Sequence, residues 1–303
     1  MKMLFEPTKV ETTEIISAET IEKNIRLLVL RLDKIHPVIS GNKLFKLHFF
    51  LEEAINRSIK TIVTYGGAYS NHLHATAYAC KLTALNAIGI VRGEQPSKLS
   101  HTLISCIENG MQLIFVSREK YSQHNTDELI AGRLSSNGDY LVVPEGGYDP
   151  LGAKGASLIM KLAKPLGSTH ICSAVGTATT VAGLLRSCEE NETIIAVPVL
   201  KNMYDINDRI NFLNKNTTSR TPVVFDEFHF GGYAKKTEDL ISFMNDIYKK
   251  FQLPTDFVYT GKMIFAIMEK INAGYFKEGN IITCLHTGGL QGNASLKPGT
   301  LVF

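Results

Sequence analysis

From about residue 60 onward the chain alternates short runs rich in Ile and Val with stretches whose apolar residues recur at helical spacing. The runs fall at 61–65, 87–91, 112–116 and 140–143, and a second series falls at 170–174, 194–199, 222–225 and 281–285. Between them, Ala75-Tyr78-Ala79-Leu82 and Leu99-Leu103-Ile107 carry the three- and four-residue steps of a helix. Strands apolar on both faces need cover on both faces, which parallel sheets flanked by helices supply. The pattern therefore predicts an α/β fold. Two series of strands predict two mainly parallel twisted sheets, hence two domains, and 303 residues leave room for both. The Gly/Pro-rich segment 144–150 lies between the series and is the expected boundary.

Composition removes several classes of function. With 44% hydrophobic and 20% charged residues the chain has material for a core, which excludes disorder over most of its length. A net charge of +3, with only the dipeptides Lys235-Lys236 and Lys249-Lys250 as basic clusters, predicts no nucleic-acid partner. No apolar stretch reaches membrane-spanning length, so no membrane partner is expected. Glu6 and Pro7 interrupt any signal-peptide core. Five scattered cysteines without a C-x-x-C pair fit neither a disulfide framework nor a zinc site, and a cytoplasmic location is expected.

Several segments could carry chemistry. In Ser40-Gly41-Asn42-Lys43, followed by Leu44, Leu47, Leu51, Ala54 and Ile55 on one helical face, Lys43 falls in the first turn of a helix. The helix dipole repels an ammonium there and lowers its pKa, which suits a nucleophile or base; a solvated surface lysine is the alternative. Gly66-Gly67-Ala68-Tyr69-Ser70-Asn71-His72 follows a strand and opens a helix. It offers free N–H groups and side-chain donors to a carboxylate, or is only a capped turn. His72 and His74 lie two apart, off any common helix face, so no metal site is expected.

Gly176-Thr177-Ala178-Thr179-Thr180 again joins a strand to a helix, and its small and hydroxylated residues suit a phosphate. No Gly-Lys-Ser/Thr and no G-x-G-x-x-G is present, which favours a small phosphate over a nucleotide. His286-Thr287-Gly288-Gly289 closes the last strand, and Gly231-Gly232-Tyr233 and Tyr259-Thr260-Gly261-Lys262 supply two tyrosines. A helix-start lysine, an N–H cluster sized for a carboxylate and a phosphate loop together suit pyridoxal 5'-phosphate bound to the lysine.

Gly41-Asn42-Lys43-x-x-Lys46-Leu47, Gly66-Gly67-x-x-Ser70-Asn71-His72, Tyr259-Thr260-Gly261-Lys262 and His286-Thr287-Gly288-Gly289 together resemble the group containing 1-aminocyclopropane-1-carboxylate deaminase and D-cysteine desulfhydrase. These are pyridoxal-phosphate enzymes of fold type II, like the tryptophan synthase β subunit, and the resemblance runs from about residue 31 to 292. It implies a large cofactor domain of residues 1–45 with 150–303, a small domain of 46–149, and a homodimer. It also implies that Lys43 bonds the cofactor aldehyde and shuttles the Cα proton. Asn71 is implied to face the cofactor's phenolic oxygen, residues Gly176 to Thr180 its phosphate and Thr287 its pyridine nitrogen. Ser70, Asn71 and His72 are implied to receive the carboxylate of a small amino-acid substrate, flanked by Tyr233 and Tyr259.

Ring-opening deaminases of this group carry an acidic residue where this chain has Thr260. Neutral Thr260 and Thr287 make the cofactor a weaker electron sink, adequate for a substrate with a good β leaving group. The expected activity is α,β-elimination from a D-amino acid such as D-cysteine, giving pyruvate, sulfide and ammonia. The alternatives are a ring-opening deaminase and a non-catalytic ligand-binding relative. The chain departs from the group at residues 36–39, at Ala178 in place of a glycine, and at Ala234-Lys235-Lys236.

Overall fold

The computed structural model describes residues 10–132, 139–215 and 217–303. The first segment forms β1 (Thr12–Ile15), α1 (Ala18–Glu22), β2 (Arg26–Leu30) and the long α2 (Asn42–Asn56). Next come β3 (Thr61–Gly66), α3 (Asn71–Leu82), β4 (Asn86–Arg92), α4 (His101–Glu108), β5 (Met111–Val116), α5 (Arg118–Gln123), α6 (Thr126–Leu129) and β6 (Tyr140–Val143). The chain continues through α7 (Pro150–Ser157), α8 (Met160–Ala163), β7 (His170–Val175), α9 (Thr179–Ser187), β8 (Thr193–Pro198), α10 (Ile206–Asn214) and β9 (Val223–Val224). It closes with α11 (Glu238–Phe251), α12 (Thr260–Asn272) and β10 (Ile281–Leu285).

Two sheets result. The four-stranded one has the order β5-β4-β3-β6 and is parallel throughout. The six-stranded one has the order β1-β2-β10-β7-β8-β9, parallel except where β1 runs against β2. Every residue of β3 is buried, as a central strand covered by helices on both faces requires. The α/β fold with parallel sheets flanked by helices is thus as expected, and all eight predicted strands are present. β9 is shorter than its run, and β1 and β2 were not predicted.

The largest apolar cluster joins the sheets, taking Leu30, Ile171 and Leu285 from one and Ile62 and Ala87 from the other. α2 packs into this cluster, with Leu44, Phe45, Leu47, Phe50 and Leu51 all buried. Each such side chain contributes about 1.5–3 kcal/mol relative to exposure, so this face anchors the helix whose first turn carries Lys43. Ile55 does not belong to it. At 41% exposure it lies on the solvent side of the last turn, while Phe45 and Phe50 complete the buried face.

Candidate active site

α2 begins against the loop that leaves β10. Gly41 precedes it with φ +72°, and a Cβ on Gly41 would stand 1.9 Å from the carbonyl oxygen of Thr287, so only glycine permits the approach. The Asn42 N–H donates to that same carbonyl at 3.3 Å. The Lys43 amine donates to Asn42 Oδ1 at 2.7 Å, and Asn42 Nδ2 donates to Thr180 Oγ1 at 2.8 Å. One asparagine therefore bridges the lysine to the 176–180 loop across 138 positions of sequence.

Burial lowers the Lys43 pKa to about 8, opposed by the Asp256 carboxylate. The direction matches the helix-start argument, but loss of hydration is the main cause. One turn on, the buried Lys46 donates to the Gly146 carbonyl at 3.2 Å, and burial followed by the nearby Lys43 pushes its pKa far down. His72 is buried beside both amines. Burial first, then the two lysines, hold it near 3, so it is neutral. Its Nε2 meets Thr64 Oγ1 at 3.0 Å, and because that hydroxyl donates to the Val143 carbonyl, His72 is the donor to it.

The 176–180 loop turns sharply into α9. Ala178 has φ +65° in the left-handed region, and Thr177 and Thr179 share a hydroxyl hydrogen bond of 2.9 Å. Opposite, the buried carboxylate of Asp256 accepts from the N–H groups of Val258, Tyr259 and Thr260 and from Thr260 Oγ1, at 2.7–3.0 Å. It caps the positive end of α12, and it takes the Thr260 hydroxyl out of play. Tyr259, fixed by this cap, stands beside Gly176, where a Cβ would lie 3.3 Å from its ring. The Tyr233 ring packs edge-on to Tyr259 with centroids 6.1 Å apart, and burial raises both phenol pKa values, that of Tyr259 further.

Lys43, Asn71, residues 176–180, Tyr259 and Thr287 line one cleft, partly open to solvent. Ser70, His72 and Tyr233 are not in its lining. Ser70 Oγ caps α3 by accepting from the Leu73 N–H at 3.2 Å, His72 turns toward Thr64, and Tyr233 stands half exposed at the rim. Asn42, Lys46 and Gly146 also line the cleft, beyond the residues to which the sequence assigns a site role. The lysine-to-lysine spacing of three, which sets both amines on one helix face, was the available signal for Lys46. Among the described residues no group of three or more metal-ligating side chains occurs, and His74 bonds Ser105 instead of joining His72.

This cleft fits pyridoxal phosphate by the chemistry of its donors. A lysine with a lowered pKa faces three threonine hydroxyls and the N-terminus of α9, with a second amine from Lys46. Asn71 Oδ1 is buried with no protein partner, so the side-chain amide has hydrogen-bonding capacity to spare.

The fold and the cleft together define a cofactor enzyme built around a buried amine, and the chain belongs to the pyridoxal-phosphate dependent enzyme family, whose pattern matches residues 7–288. Within it, the chain is 30% identical over 286 residues to a Thermotoga maritima protein provisionally named 1-aminocyclopropane-1-carboxylate deaminase, covering 88% of this chain and 89% of that one. It is 27% identical over 282 residues to the bifunctional D-cysteine desulfhydrase/1-aminocyclopropane-1-carboxylate deaminase, mitochondrial, of Arabidopsis thaliana (84% and 70% covered). The crystal structure of a 1-aminocyclopropane-1-carboxylate deaminase homologue superposes with a TM-score of 0.82 at 24% identity, covering 95% of this chain and 91% of that one. The expected family, fold type and cofactor are borne out. No helix of the described residues is long and apolar enough to cross a membrane.

Proposed function

We propose that this chain is a lyase that removes the β substituent of a small amino acid, D-cysteine first among them, with water entering and pyruvate, sulfide and ammonia leaving. One observation carries the reading: the Lys43 amine, Asn42 and the Thr180 hydroxyl form a continuous hydrogen-bonded link inside a single cleft. Bound there, pyridoxal phosphate supplies an electron sink for negative charge at the substrate Cα. The threonine hydroxyls of 177, 179 and 180, the first N–H groups of α9 and the Lys46 amine hold its phosphate.

Lys43, once free and neutral, takes the proton from Cα; a pKa of about 8 leaves a usable neutral fraction near pH 7. Asn71 orients the ring, and Thr287 faces its nitrogen with a neutral hydroxyl. No carboxylate lines the cleft among the described residues, since Asp256 is turned into the α12 cap. That neutrality supports elimination of a thiolate over opening of a strained carbon ring. Asn71 and His72 at the start of α3 supply free N–H groups to the substrate carboxylate. Ser70 fixes that turn by donating its own N–H to the Gly67 carbonyl at 3.0 Å and capping Leu73, and Tyr233 and Tyr259 flank the substrate. Residues 1–45 with 150–303, and 46–149, form the two domains of this reading, in a cytoplasmic homodimer.

The names of the relatives favour a second reading, ring opening of 1-aminocyclopropane-1-carboxylate. Purified holoenzyme incubated with D-cysteine, L-cysteine and 1-aminocyclopropane-1-carboxylate separates the two. Pyruvate with sulfide is the expected product; 2-oxobutyrate from the cyclic substrate alone would overturn the elimination reading. Light scattering and cell fractionation test the dimer and the location.

A further inference from the structure

We propose that Lys262 is a positioning residue: its buried amine clamps the 229–232 turn so that Tyr233 is held against Tyr259 at the rim of the cleft. The side chain has no solvent exposure, and its amine donates to the His229 and Gly232 carbonyls, both at 2.8 Å. Burying an amine costs several kcal/mol unless its hydrogen bonds compensate. An apolar side chain of similar length would fill the space without that cost. The amine is thus explained by what it holds.

The turn needs holding. Phe230, Gly231, Gly232 and Ala234 all have positive φ, at 53°, 90°, 117° and 54°, so two non-glycine residues bear backbone strain. The backbone bonds of the turn are local: Gly231 N–H to His229 Nδ1 at 2.9 Å, Gly232 N–H to the His229 carbonyl at 3.0 Å and Lys235 N–H to the Gly232 carbonyl at 3.1 Å. α12 supplies the long-range anchors, Lys262 and Phe265, whose ring meets Phe230 edge-on at 5.0 Å. The same helix carries Tyr259 at its N-cap, so one rigid element sets both tyrosines. Burial brings the Lys262 pKa down to about 8, and the Asp256 carboxylate opposes the shift, which keeps the amine largely charged at neutral pH.

The catalytic weight of the clamp rests on the proposed function; the clamp itself does not, and the test keeps the two apart. The chain contains no tryptophan, so Tyr233→Trp places a single indole on the turn. With Lys262→Met added, emission should move to longer wavelength and acrylamide quenching should rise severalfold, with Lys262→Gln between the two. Circular dichroism at the same temperature establishes that each protein is folded, and where the methionine variant is not, the glutamine variant decides alone. Unchanged emission and quenching in a folded variant would overturn the proposal. In the tyrosine enzyme, Lys262→Met should cost roughly ten- to a hundredfold in kcat/KM with the visible cofactor band intact. In a Tyr233→Phe background it should cost less than about twofold, and a fully additive loss there overturns the coupling. An enzyme without elimination activity removes only the kinetic arm, and the indole still reports on the clamp.

Discussion

Gly41 and Thr287 stand so close that a single methyl group between them would overlap the Thr287 carbonyl, at 1.9 Å from its oxygen. Gly41→Ala meets that clash and a φ of +72° at once. It should lower stability by about 2–4 kcal/mol, seen in urea unfolding, and should weaken cofactor retention in the folded fraction.

Lys43→Ala removes the only amine that Asn42 presents to the 176–180 loop. The purified variant should lack the visible band of bound cofactor and retain no elimination above background. Borohydride treatment of the parent should leave its label on Lys43 in a peptide map. A label on Lys46 would move the catalytic assignment one helical turn.

Loading of pyridoxal phosphate onto the apo-protein needs the neutral form of Lys43. With the pKa at about 8 instead of the ordinary 10.5, the rate should rise about tenfold per pH unit below 8 and level off above it. Stability follows the same shift. Between 8 and 10.5 the unfolded chain holds a proton the folded chain has released, so this group makes the apo-protein more stable as pH rises through that window. Lys43→Ala should flatten that rise, measured as midpoint against pH.

Much of this architecture was legible in residues whose spacing reports burial. β3 and β4, rich in Ile and Val and buried through their centres, carry the pattern of central parallel strands, and all eight runs of this kind match strands of the fold. β1, at four residues and on an edge, has too little pattern to stand out. β2 reads Arg-Leu-Leu-Val-Leu, and leucine favours helix as readily as strand until β10 is known to lie beside it. In the cleft, Lys43, Asn71, 176–180, Tyr259 and Thr287 all lie in motifs legible from the sequence. Asp256 does not, because its meaning lies in four donors gathered by the turn into α12. The inward aim of His72 was also hidden, since neighbouring residues on a helix face different ways and only the position of Thr64 decides which.

Ala178 bears the left-handed conformation that glycine adopts without cost. Ala178→Gly should therefore raise stability by about 1 kcal/mol, read as an increase in Tm, with cofactor affinity held or improved. Ala178→Val should act in the opposite sense, since its branched side chain tolerates that φ least.

The place of β10 in its sheet has a consequence for biosynthesis. It is the last of the described strands to leave the ribosome, yet it lies between β2 and β7, strands translated long before it. Residues 61–143 can complete their own sheet on a nascent chain, while β2 waits unpaired on one side until residue 285 has emerged. Gly41 likewise has no carbonyl to rest against before Thr287 is made. The lysine and the anion loop therefore become a working pair only once β10 has been made, and a product released before β10 carries both without the seam that aligns them.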